Sequence, residues 1–147
     1  MFGSSDSKIK LHGPANTLIS RSTEIVGNVH FSGELIIEGK VKGNIYAEDE
    51  SDALIIIAEK GSVEGEICCP SIIVNGLVQG DVRSTKHIEL AAKAVVVGNV
   101  YYHLIEMVMG SEVNGNLLHI SGQKDSKRLL REAKKSLPEP VQLHRNT

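Results

Sequence analysis

The chain has 147 residues, no Trp, two Phe and three Tyr, and its apolar content is dominated by Val and Ile. That points to one domain of strands around a narrow core of branched aliphatics. Its net charge of −2 conceals an acidic body: residues 17–120 hold seven Lys/Arg against fourteen Asp/Glu, whereas 121–147 hold seven against three. An acidic body with a basic end lacks the basic groove that nucleic acid requires, so nucleic acid is not an expected partner. No signal peptide or long apolar run is apparent, and the chain reads as soluble and cytoplasmic.

Residues 1–16 are expected to form a flexible N-terminal segment. Met1 and Phe2, with Lys8 and Lys10 beside Ile9 and Leu11, form a candidate membrane contact. One Phe and two Lys bind only marginally per chain, though many copies along a polymer would add avidity. The alternative is a disordered leader that touches no membrane.

From Thr17 a repeat begins. An apolar residue, any residue, Gly, then Asn, Asp or Glu and a second apolar residue recur six times: Ile25–Val29, Val41–Ile45, Val63–Ile67, Val78–Val82, Val96–Val100 and Val113–Leu117. The glycines are spaced 16, 22, 15, 18 and 17 residues apart, the length of one β-solenoid coil. Between the copies lie second apolar segments, such as Leu35-Ile36-Ile37, Ile55-Ile56-Ile57 and Ile72-Ile73-Val74. Within each coil the apolar residues and glycines share one parity, which places them on one face of a strand and around one continuous core. The glycines fall where the chain must bend and come close to its neighbours.

The opposite parity carries Asn28, Asn44, Glu66, Asp81, Asn99 and Asn116 in one column. These read either as a stacked polar ladder or as turn formers beside Gly, and both readings put them outside the core. Ile36, Ile56 and Ile73 form an outward apolar stripe that turns acidic at Glu89 and Glu106, suited to lateral contact or to plain sheet stabilisation. Ala47–Asp52 reads as an acidic, solvated insertion, without the spacing of a calcium loop. Cys68 and Cys69 are adjacent and point to opposite faces, so the expectation is a reduced surface thiol beside a buried one.

The fold expected is all-β, a right-handed parallel β-helix of about six coils over 17–120, the hand following the preference of parallel crossovers. Its two ends would expose unpaired strand edges and core side chains, with no obvious cap. Leu18, Ile25 and Val29 at one end, and Val113, Leu117, Leu118 and Ile120 at the other, are the candidate polymerisation interface. Residues 121–147 form a basic tail in which Leu129, Leu130, Ala133 and Leu137 recur at helical spacing among Lys and Arg. That tail reads either as an amphipathic helix for an anionic membrane or acidic partner, or as a solvated tail.

These residues resemble the bactofilin family of bacterial polymer-forming cytoskeletal proteins. The resemblance spans Thr17 to Ile120 and rests on stretches such as Ile37–Ile45, Gly61–Ile67 and Val74–Val82, six copies in phase. It implies a right-handed β-helix that polymerises without nucleotide, often at the inner face of the cytoplasmic membrane. There it would help to position wall-modifying and shape-determining partners. The leader at Met1-Phe2 is similar to the short membrane-targeting leaders of some members. Lys93-Ala94 where Gly is usual, the loop at Ala47–Asp52 and the basic tail depart from the family pattern.

No catalytic, cofactor-binding or metal-binding residue is assigned. His30, His87, His103 and His119 stand three, seven, five and four residues after their coil's Gly and so share no column. No phosphate loop, Ser/His/Asp constellation or Cys/His pairing occurs. The alternative function is a non-polymerising β-helix, either a scaffold or an acyltransferase- or carbonic-anhydrase-like trimer of the left-handed type.

Overall fold

A computed structural model describes residues 16–48 and 52–121, and within them the chain is entirely strands and turns, wound as a parallel β-solenoid of six coils with three walls. The first wall stacks β1 (Asn16–Ile19), β4 (Glu34–Ile37), β7 (Leu54–Ile57), the second half of β9 (Ile67–Val74), the second half of β11 (Val82–Leu90) and β14 (Leu104–Met107). The second stacks β2 (Glu24–Val26), β5 (Lys40–Lys42), β8 (Ser62–Glu64), β10 (Leu77–Gln79), β12 (Val95–Val97) and β15 (Glu112–Asn114). The third stacks β3 (Val29–Phe31), β6 (Ile45–Ala47), the first halves of β9 and β11, β13 (Val100–Tyr102) and β16 (Leu117–His119). Every neighbouring pair is parallel, as expected when each strand returns one coil later.

Alternation within the strands decides what is buried. Ile37, Ile57, Val74 and Leu90 align inward on the first wall, Val41, Val63, Val78 and Val96 on the second, and Ile45, Ile67, Val82 and Val100 on the third. All twelve are fully buried, and they form one core with Leu35, Ile55, Ile72 and Ile88. β-Branched side chains suit this arrangement because each packs on a like neighbour one strand spacing, about 4.8 Å, above and below. Ala47 belongs to β6 and to the core rather than to the acidic insertion. Asp52, at the far side of that insertion, pairs with Lys86 at 3.0 Å.

The corner between second and third walls explains the glycine column. A Cβ on Gly43, Gly65, Gly80, Gly98 or Gly115 would lie 1.9–2.3 Å from the carbonyl oxygen of the glycine one coil earlier. Backbone sits on backbone there, and no side chain fits at strand spacing. Beside it runs the polar column, which is a ladder of hydrogen bonds. The amides of Asn44, Glu66, Asn99 and Asn116 donate to the side-chain oxygens of Asn28, Asn44, Asp81 and Asn99, at 2.9–3.0 Å. The bond runs from side chain to the next coil's backbone, so each Asn both covers a corner and fixes the register above it.

Gly98→Ala therefore forces neighbouring coils apart, whereas Gly27→Ala, on the first coil, meets nothing within 4 Å and carries only the strain of a positive φ of 134°. Thermal unfolding should show a loss of at least about 2 kcal/mol for the first and a smaller loss for the second. Equal effects would mean that corner stacking is not what excludes the side chain.

Candidate functional site

Two surfaces stand apart from an ordinary solvated exterior: the ends of the solenoid, and the outside of the third wall. At the ends, β1, β2 and β3 pair only with the second coil, and β14, β15 and β16 only with the fifth. Their outer edges thus carry backbone groups with no strand beyond them among the described residues. Ile25 and Val29 at the start, and Val113 at the finish, lie on the inward columns and pack against the core from one side only. Leu117 continues the column of Val100 and is exposed at the end of the stack. Met109, 91% exposed, and Val26, 77% exposed, add apolar surface at opposite ends.

Three other residues expected at this interface sit differently. Leu18 pairs with Ile36 and faces outward, at the head of the stripe Ile36, Ile56 and Ile73. Its neighbour Ile19 takes the inward place. Leu118 pairs with Tyr101 and also faces outward. Ile120 is already buried, its amide bonded to the Tyr102 carbonyl. Parity explains the first two: the inward set is odd-numbered at this first coil, and Leu117 rather than Leu118 continues the Val100 column. The candidate membrane residues Met1, Phe2, Lys8 and Lys10, and the tail's Leu129, Leu130, Ala133 and Leu137, lie outside the described residues.

On the outside of the third wall the register stacks His30, Tyr46, Cys68, Arg83, Tyr101 and Leu118. Glu66 breaks the asparagine ladder beside them: its longer side chain turns to Arg83, with Oε2 at 3.3 Å from Nη1, while Asp81 lies 3.9 Å from Nη2. The guanidinium also covers the ring of Tyr101, 4.6 Å from its centroid, and His30 packs on Tyr46 at 5.1 Å. Burial alone would depress the Arg83 pKa, but Glu66, with Cys68, Tyr101 and Asp81, outweighs it and holds the group above its ordinary value. Burial, then Cys68, pushes the Tyr46 phenol up. Both cysteines are buried, so Cys68 is not the surface thiol expected from its parity. Cys69 faces the core, where burial pushes its thiol up to about 12.

Each of the four described histidines meets a neighbouring side chain. His30 stacks on Tyr46, His87 lies 3.7 Å from Glu106, and the rings of His103 and His119 stack at 6.0 Å although their spacing separates their columns. Among the described residues no three His, Cys, Asp or Glu side chains gather as metal ligands, and no helix is long and apolar enough to cross a membrane. Local pattern does not reveal the Arg83 cluster, although among the described residues Arg83 is the one arginine inside a strand and Glu66 is the one Glu in a column otherwise Asn and Asp.

Residues 17–118 match the family Bactofilin, described as polymer-forming cytoskeletal. The chain belongs to the bactofilin family. Among curated proteins it is 29% identical over 103 residues to Bactofilin BacO of Myxococcus xanthus (strain DK1622), covering 70% of this chain and 79% of that protein. It is 24% identical over 102 residues to Bactofilin BacP of the same organism, covering 69% of this chain and 41% of BacP. No solved structure matches it significantly. The matched region coincides with the six coils, so the family's signature is the solenoid itself.

Arg83→Ala should strand the Glu66 carboxylate and lower stability by about 2–3 kcal/mol in denaturant unfolding. Combining Arg83→Met with Glu66→Asn, which restores an asparagine to the ladder, should recover most of that loss. A double variant no more stable than Arg83→Ala would show that the pair is not the source of the effect.

Proposed function

We propose that this bactofilin-family chain polymerises end to end through its terminal coils, without nucleotide, into filaments. These filaments scaffold cell-shape or wall-related partners at the inner face of the cell membrane. The observation that carries the proposal is the pair of unfinished ends. The first coil leaves Ile25 and Val29 half-covered and the last leaves Leu117 exposed, each beside strand edges that no described element caps. A second copy set on either end at strand spacing supplies backbone partners and closes the inward columns in one step. Repetition of such a contact builds an open polymer, driven by burial and hydrogen bonding alone.

The walls suit a scaffold rather than a catalyst. Their outward residues form long regular columns, and a polymer multiplies each weak contact through avidity. The polymer-forming description of the family supports this reading, and the membrane and the wall or shape partners are inferred from the resemblance.

Leu117→Arg and Ile25→Arg place a charge at the end of an inward column. Each should abolish sedimentable polymer in nucleotide-free buffer while the far-ultraviolet circular dichroism stays that of β-structure. An outward control, Glu89→Arg, should polymerise normally. Unaltered protein that sediments only as a monomer or a discrete trimer would count against the proposal, as would end-charge variants that polymerise like the parent.

A further inference from the structure

The inward columns of the third wall do not end alike. One ends in Leu117, and the next inward position along β16 is His119. That second column carries small or aromatic residues: Ala47 aligns with Phe31, Ser84 with Cys69, and His119 with Tyr102. Ala47 and Cys69 lie in the core, and Phe31 and Tyr102 pack against it. His119 is the exposed last member, its ring 5.4 Å from that of Tyr102.

A second imidazole lies beside it. His103, just after β13, stacks on His119 with ring centroids 6.0 Å apart. Its Nδ1 stands 3.2 Å from the Ile120 carbonyl oxygen. A carbonyl only accepts, so Nδ1 carries the hydrogen and donates it, which fixes the ring against the strand end that holds His119. Among the described residues no carboxylate pairs with either ring. Arg83 is held by Glu66 and Asp81 and covers Tyr101, Lys86 pairs with Asp52, and Glu106 pairs with His87 on the first wall. Glu112 on β15 belongs to the outer face of the second wall, beside the inward Val113. Positive charge arising at this pair therefore has no counter-charge at the end of the stack.

We propose that His119, steadied by His103, makes end-to-end assembly sensitive to pH: the junction forms with the imidazole neutral and is weakened by its protonation. The inference rests on the end-to-end reading above and names how that contact is regulated. A copy stacked on the last coil covers the Leu117 column, and His119 lies two residues further along the same face of the same strand. The ring therefore goes under the same cover. The members of its column that terminal coils of a second copy present are Phe31 and His119, and neither is a carboxylate. Burying an unpaired cation is costly, so the junction excludes the protonated imidazole and assembly releases protons. The contact is strongest where the imidazole is neutral and is lost as the pH falls through the range, from about 8 to about 5, in which histidine takes up charge.

The critical concentration for sedimentable polymer of the full-length chain, in nucleotide-free buffer, supplies the test. Between about pH 7.5 and about pH 5.5 it should rise about ten-fold, with the circular dichroism unchanged. His119→Phe and His119→Gln should assemble with less than about a two-fold change over that range, whereas His87→Gln should keep the full response. Polymer that forms equally well at both pH values would overturn the inference and leave end-to-end assembly standing. His119 variants that keep the full response would do the same. Unaltered protein that forms no polymer at either pH would overturn both. If acid unfolds the chain, or neither His119 variant assembles, proton release decides. Assembly of the unaltered chain at about pH 6.5 in weak buffer should release protons, and an assembly that releases none rejects the inference.

Discussion

Close approach of backbone to backbone at the corner between second and third walls is the constraint from which the rest of this molecule follows. Parallel strands stack at about 4.8 Å, and that spacing must hold at the bends as well as along the walls. At Gly43, Gly65, Gly80, Gly98 and Gly115 the carbonyl oxygen of the preceding coil occupies the place a Cβ would need. With the bend bare, the coils descend in register, and the inward valines and isoleucines form unbroken columns. The flanking Asn and Asp side chains then reach the amides of the coil above and lock that register. Packing, hydrogen bonding and alignment are thus consequences of one geometric requirement repeated at each turn.

A structure built by repetition has no natural last member. Among the described residues, interior coils are covered on both sides and terminal ones on one side only, which leaves Val29 and Leu117 in environments their interior equivalents Ile67 and Val82 never experience. A small domain that leaves core columns open at two ends has a standing incentive to associate. Membership of a polymer-forming family is consistent with the physics of the ends. The walls, by contrast, repeat regularly along their length, and it is on one of them that sequence individuality appears, in Glu66, Arg83, Tyr46 and Tyr101.

The coil number, the inward set and the glycine positions were legible in the sequence because each depends on period-two alternation and on a short motif repeated in phase. Local pattern does not separate ladder from turn former for the asparagines, since the bond in question joins residues 16 to 22 apart. Leu18 and Leu118 are apolar and terminal, which suits an interface, but their parity puts them on the outer faces. Alternation turns Cys68 outward, but its burial between the large side chains of Tyr46 and Arg83 is a tertiary effect that alternation does not encode. His103 and His119 meet because a corner turns one ring toward the other, again a tertiary effect.

End-to-end assembly requires coil stacking to continue through the junction between subunits. Fibre diffraction from oriented filaments of the full-length protein measures that directly. Continuous stacking should give a strong meridional reflection near 4.8 Å and an axial subunit repeat of about 29 Å, six strand spacings. A repeat longer by several ångströms, or filaments in which the strands lie along the axis, would contradict it.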